Sequence, residues 1–202
     1  MLYQEIKRRV LEHLNRYSIA GEVVSPAYNG QSDDLQRIPN LINDAVMGIR
    51  TTVQPITAHF YPQSEEKEHG LMKCPLPTDF RMLKGSGVWH AEKGDSLNPF
   101  RGKMLLDDKH LYLPEGEYMV EYYRYPELLP EDPGDEYEYG ESREVLLVAA
   151  CYAAANLAML DDEFVYSALM QEYERRLLRM TTPPWDTVKS VTDVYGFMGG
   201  EV

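Results

Sequence analysis

Residues 143–180 read REVLLVAACYAAANLAMLDDEFVYSALMQEYERRLLRM, and this stretch decides the fold. Its first half, residues 145–160, has one polar side chain, Asn156, among sixteen residues, and six of the sixteen are alanines. A membrane span needs about 20 apolar residues, and charged residues flank this shorter run on both sides. The pattern therefore predicts a soluble helix that is covered on nearly every side. Alanines let neighbouring helices approach closely, so we expect two or three partner helices, some of them from another subunit.

Three other segments have the apolar spacing of an amphipathic helix. Two lie near the N-terminus, and the third is the second half of the quoted stretch. Their apolar stripes are Tyr3, Ile6, Val10, Leu14 and Tyr17; Leu35, Ile38, Ile42, Ala45 and Ile49; and Val165, Leu169, Tyr173 and Leu177. Pro39 lies inside the second pattern, so that helix is expected either to kink or to begin there.

Short alternating runs between residues 51 and 125 predict strands. The segments KGSG, residues 84–87, and LDDK, residues 106–109, are predicted to be hairpin turns. The order of elements predicts an α+β fold that is mainly α, a four-helix bundle with a small antiparallel β insertion between helices 2 and 3 and an extended C-terminal tail. We assign the bundle to residues 1–50 and 142–180, the insertion to 51–127, an acidic linker to 128–141 and the tail to 181–202.

The composition restricts the classes of function. The chain has 202 residues and a net charge of −13, which argues against sequence-specific binding of nucleic acid and against docking on anionic lipid. The acidity either keeps the protein soluble or forms a wall that DNA slides past. Two cysteines do not make a disulfide framework, and the charged N-terminus does not resemble a signal peptide.

The sequence contains no recognisable catalytic arrangement. None of the five histidines pairs with a cysteine or another histidine at a zinc spacing, and no nucleophile lies beside a candidate base. Cys151, in the alanine-rich helix, is expected to be a small core residue. We therefore expect a protein that is not an enzyme, with no catalytic residues, no bound metal and no cofactor.

Two groups of residues are candidates for contacts between subunits. The first consists of the alanines Ala149, Ala150, Ala153 and Ala154. The second is the tyrosine pair Tyr122 and Tyr123, from a chain with fifteen tyrosines. Tyrosine is common in protein interfaces, but an aromatic cluster at a sheet edge within one subunit explains the pair equally well.

The segment after Pro183 and Pro184 is a candidate for binding a partner. Its apolar residues are spread out, and they are Trp185, Val188, Val191, Val194, Tyr195 and Phe197. Either Trp185 folds back on the bundle, or residues 188–194 add as a strand to another chain.

Several segments together resemble a known family. DDLQRIPNLINDAVMGIR, LPTDFRML, YMVEYYRYPELL and the quoted stretch are similar, in this order, to segments of the head-to-tail connector (adaptor) proteins of tailed bacteriophages. The resemblance covers most of residues 30–180. Its layout is similar to the connectors with a β insertion, the tail tubular or gatekeeper-like proteins of short-tailed phages.

The resemblance implies a structural virion protein of a phage or prophage. It would form a ring of about twelve subunits between the portal protein and tail or neck proteins. DNA would pass through the lumen without specific binding, and the C-terminal tail would dock on the portal. We expect the chain in the virion neck, in the host cytoplasm during assembly, and as a monomer when isolated. Two alternatives remain. One is a phage-encoded enzyme or accessory factor with a cleft at the helix–sheet junction, and the other is a small host-encoded binding module.

Overall fold

The computed structural model describes residues 1–14, 30–92, 96–159 and 162–181. Four α-helices lie in these ranges: α1 (Tyr3–His13), α2 (Gly30–Gly48), α3 (Arg143–Ala158) and α4 (Glu163–Thr181). A short π-helix (Ile49–Val53) continues α2, in which Pro39 is an interior residue. The predicted tail lies almost wholly outside the described residues.

Among the described residues, eight strands form two antiparallel sheets. Sheet I has the order β1 (Ile56–Phe60), β8 (Tyr118–Arg124), β4 (Phe80–Glu92) and β5 (Ser96–Pro99). Sheet II has the order β2 (Lys67–Glu68), β3 (Leu71–Pro75), β7 (His110–Leu113) and β6 (Leu105–Leu106). Their inward side chains share one apolar core, formed by Met72, Cys74, Val88, Leu111, Leu113, Tyr118 and Val120.

The predicted mainly helical four-helix bundle is wrong. Among the described residues, 43% are helical and 26% are in strands, so the fold is a mixed α and β fold. The β region is more than a small addition to a helical bundle, because its two sheets enclose a core of their own. The helices also differ from a bundle with four equal members, since α1, α2 and α4 each pack against α3, whereas α1 and α2 scarcely contact each other.

Helix α3 is the centre of the helical region. Eleven of its sixteen residues are buried, including every alanine between Ala149 and Ala158. Ser142 caps its N-terminus, because its hydroxyl accepts a hydrogen bond from the Val145 amide at 3.3 Å. The alanine-rich sequence suits this position, because small side chains allow three helices to pack around one.

The acidic segment 128–141 is a packed strap across α1 and α2. Leu129 and Tyr139 are buried in the helical core. The Asn43 side chain of α2 donates to the Leu129 carbonyl at 2.9 Å and accepts from the Leu129 amide at 2.8 Å. The Tyr139 hydroxyl donates to the Glu127 carbonyl at 2.8 Å, and the backbone of Leu2 forms a β-bridge with Glu138. These contacts fix the strap to the helices.

Only one of the two predicted hairpin turns is present. Residues 106–109 do connect β6 to β7, but residues 84–87 lie inside β4. There, pairing with β8 shifts register between Leu83 and Val88. Gly85 and Gly87 have positive φ angles of 58° and 33°, and a Cβ on Gly87 would lie 2.8 Å from the Glu121 carbonyl oxygen. The glycines therefore serve a bulge instead of a turn.

Candidate assembly surfaces

The four alanines predicted to pack against other subunits lie within the chain's own core. Ala149, Ala150, Ala153 and Ala154 are each at most 1% exposed. The helices that cover them are α1, α2 and α4 of the same chain. Their role in contacts with a second subunit stays a prediction.

The tyrosine pair divides between the two faces of sheet I. Tyr122 is buried, its ring stacks on Phe80 at 5.4 Å between centroids, and its hydroxyl donates to Asp79 at 2.8 Å. Burial, followed by this hydrogen bond, raises the pKa of Tyr122 to about 12. Tyr123 is half-buried on the opposite face. The structure thus places Tyr122 in an aromatic cluster within one chain.

The partner-binding residues predicted in the tail, from Trp185 to Phe197, lie outside the described residues. The structure therefore neither brings them together nor separates them, and their docking role stays a prediction.

Helix α4 presents a surface that faces away from the other described elements. None of its residues is buried, although Leu169, Tyr173, Leu177 and Met180 pack against the core as the sequence predicted for three of them. Its other side, which we call the outer face of α4, consists of exposed residues at alternating steps of four and three. They are Phe164, Ala168, Gln171, Arg175 and Leu178.

Two large apolar side chains mark the ends of this outer face. Phe164 is 82% exposed, the largest value among the exposed large hydrophobic residues of the described chain, and Leu178 is 68% exposed. The two residues are fourteen positions apart along the helix, which is about 21 Å. The exposed Arg175 lies between them and forms a surface ion pair with Glu172. This face was not predicted from the sequence, although its residues recur at steps of four and three.

A cleft of about 830 Å³ lies between α1, α2 and the strap, and we call it the strap groove. Its polar and charged lining is Lys7, Gln36, Asn40, Glu131, Asp132 and Asp135, and its apolar lining includes Leu35, Pro39 and Pro133. Lys7 forms an ion pair with Asp135. Burial first, then the charges of Asp135 and Asp132, raise the pKa of the Tyr3 hydroxyl. The groove is therefore a site of negative potential.

A second cleft of about 680 Å³ lies at one end of the two sheets. It is lined by the loop after β1 and by the turn between β7 and β8, with Met72, Leu97 and Tyr118 among its apolar residues and Glu65 and Glu117 among its acidic ones. The enzyme alternative expected a cleft at the helix–sheet junction, and both of these clefts lie elsewhere.

One Asp–His–Tyr group is brought together, in the turn between β6 and β7. Asp107 accepts hydrogen bonds from the Lys109 and His110 amides at 2.8 and 2.6 Å and from the Tyr112 hydroxyl at 2.8 Å. These bonds, led by the one from Lys109, lower the pKa of Asp107 to about 2. None of the three side chains lines either cleft, so the group has the geometry of a turn stabilised by an aspartate.

The two thiols are buried and uncharged at neutral pH. Burial raises the pKa of Cys74, and it raises that of Cys151 to about 11. A protonated thiol is a weak nucleophile and a poor metal ligand. Within residues 1–14, 30–92, 96–159 and 162–181, no three His, Cys, Asp or Glu side chains are grouped as metal ligands would be. Across the same residues, no helix has the length and apolar character that a membrane crossing requires.

The sequence matches no protein-family model, and comparison with curated proteins gives no match.

Proposed function

We propose that this chain is a structural subunit of a tailed bacteriophage or prophage. Copies form a ring that joins the portal protein to the tail, and DNA passes through the lumen of the ring. The observation that carries the proposal is the outer face of α4, which exposes Phe164 almost completely at the surface of a single chain. Burying a phenylalanine side chain stabilises a complex by about 2 kcal/mol, so this face favours contact with a second protein.

Two further features support the proposal. The elements follow the order of two helices, a β region and two helices, which is the order implied by the resemblance to phage connectors. The net charge of −13 suits a channel that must not hold DNA phosphates, because binding the backbone requires clustered lysines and arginines.

The test is recruitment to the portal. The full chain is mixed with portal rings produced from the same genome, and the complexes are imaged by electron microscopy. We expect a second ring on one face of the portal, and the variant Phe164→Ser should weaken its formation while keeping the melting temperature of the free chain. If the wild-type chain is never recruited, the proposal is wrong. Portal and major capsid genes beside this gene would add independent support.

The tail carries a separate part of the proposal, docking on the portal itself. Its apolar residues, among them Trp185, Tyr195 and Phe197, are too many to leave in water without a cost. Deleting residues 187–202 should abolish portal binding and leave the melting temperature nearly unchanged. Full affinity of the shortened chain, or its unfolding, would exclude the tail as the docking segment.

A further inference from the structure

A closed ring needs two different surfaces on each subunit, because every copy contacts one neighbour with one surface and the other neighbour with the second. The assignment of these two surfaces rests on the proposed function, because only a ring requires both of them. The outer face of α4 is one candidate. A matching surface must lie on other elements of the chain and complement it in charge and shape.

The charges of α4 are unusual for this chain. In a protein of net charge −13, the C-terminal half of α4 carries Arg175, Arg176 and Arg179 against Glu172 and Glu174, a local excess of one positive charge. Arg175 and Arg179 are exposed. The ion pair between Arg175 and Glu172 is at the surface, where such pairs contribute about 1 kcal/mol or less. Arg175 can therefore change partners at little cost.

The strap groove has the opposite charge. Its lining holds three carboxylates, those of Glu131, Asp132 and Asp135, and one ammonium group, that of Lys7, which leaves two net negative charges. Glu131 and Asp132 are exposed at its rim. The groove shares no residue and no element with the outer face of α4, so one copy can use both surfaces at the same time.

The groove also matches α4 in its other lining. Leu35, which is half-buried, offers apolar contact to a side chain such as Phe164, whereas Pro39 and Pro133 are buried. Gln36 and Asn40 are exposed polar side chains on α2 that can bond to Gln171. Laying one face of a helix into a groove of the partner is a common mode of recognition between proteins.

We propose that the outer face of α4 in one copy docks into the strap groove of the next copy, with the Arg175 and Arg179 end of the helix against Glu131 and Asp132. Each copy then presents α4 on one side and the groove on the other. The contact is heterologous and propagates from copy to copy until the ring closes.

Disulfide trapping tests the contact directly. Gln171→Cys places a thiol in the middle of the outer face, and Gln36→Cys places one in the groove. The native Cys74 and Cys151 are buried and do not compete. On the portal, or at high concentration of the full chain, the double variant should give an oxidised ladder of oligomers. A mixture of the two single variants should give a covalent dimer.

The single variants supply the controls. Gln171→Cys alone should form no dimer, and a dimer there would show that two α4 helices pair with each other, which overturns the proposal. Gln171→Cys combined with Gln63→Cys, an exposed glutamine beside the β-region cleft, should give no ladder. A ladder from that pair as strong as from the Gln36 pair would also overturn it.

Charge exchange gives an independent result. Arg179→Glu and Asp132→Lys should each abolish assembly, and the double variant that carries both should restore it. Rings that form normally with either single variant would overturn the inference and leave the proposed function intact. If the wild-type chain forms no ring on the portal, the proposed function fails instead, and trapping through residues 36 and 171 still reports whether copies contact each other in this way.

Discussion

The ion pair between Arg50 and Glu141 should be the most sensitive single contact between the strap and the helices. Arg50 lies in the π-helix, and its Nε and Nη2 donate to the same Glu141 oxygen at 3.0 and 2.7 Å. Only 15% and 7% of the two side chains are exposed. That oxygen also accepts from the Ser142 amide at 3.3 Å, at the cap of α3. Replacing Glu141 by glutamine keeps the shape and removes the charge.

The expected cost follows from the geometry. Two unit charges about 4 Å apart attract by about 4 kcal/mol at the effective dielectric constant of a partly buried site. Glutamine retains a hydrogen bond from the charged Arg50 side chain to its neutral amide oxygen, which returns about 1 kcal/mol. Glu141→Gln should therefore lower the free energy of unfolding by about 3 kcal/mol, in the range for a buried pair that loses one partner. For a chain of this length the melting temperature should fall by about 6–12 °C.

The measurement is thermal and urea unfolding followed by circular dichroism. Glu138→Gln is the matched control, because it removes the same charge from an exposed position in the same strap and should change the free energy of unfolding by less than about 0.5 kcal/mol. The double replacement Arg50→Met with Glu141→Met should recover most of the loss. Equal melting temperatures for Glu141→Gln and Glu138→Gln would refute the reasoning, since the pair would then behave as a surface ion pair.

Three other predictions concern titration, reactivity and packing. Burial lowers the pKa of His13, so as pH falls below about 6.5 the unfolded chain binds a proton that the folded chain resists. Stability should decline there, and His13→Asn should flatten the decline in pH-dependent urea unfolding. Neither Cys74 nor Cys151 should react with a thiol reagent in the native chain, whereas both should react in denaturant, and native labelling would place one of them at the surface. Ala153→Leu should lower the free energy of unfolding by about 1–3 kcal/mol, because it overpacks the contacts of α3. Ala168→Leu, on the outer face of α4, should leave the free energy of unfolding unchanged. Equal stabilities of the two variants would contradict the buried position of α3.

Local patterns in the sequence were sufficient to predict the helices. A stripe at steps of three and four identifies α1, and sixteen residues with a single polar side chain identify α3 as a covered helix. Both signals depend on neighbours within a few turns of one helix. These signals suffice because a helix forms its backbone hydrogen bonds internally. Tertiary structure then decides only which face of the helix is buried.

The strap and the β bulge could not be predicted from local sequence patterns. The acidic, proline-rich composition of residues 128–141 is typical of a linker, and the contact that fixes Leu129 comes from Asn43, 86 residues earlier. The glycines of residues 84–87 are typical of a turn, but pairing with β8 keeps the chain extended and uses their positive φ angles in a bulge. In both places a distant partner decides the local structure. The separate core of the β region was not predicted for the same reason, since a core shared between two sheets is formed by non-local pairing.

The outer face of α4 was not predicted for a different reason, which is specific to this helix. The helix carries two apolar patterns, one through Leu169 and Tyr173 and the other ending at Phe164 and Leu178, and periodicity alone cannot decide which one faces the core. The structure assigns the first pattern to α3 and leaves the second exposed. Because Phe164 is 82% exposed and Ala168 is also exposed, substitutions at these two positions remove little contact from the folded state. Outer-face variants should therefore change assembly without changing stability. Inner-face variants such as Leu169→Ala should lower stability first, and this contrast between two faces of one helix separates an assembly surface from a helix that is merely loosely packed.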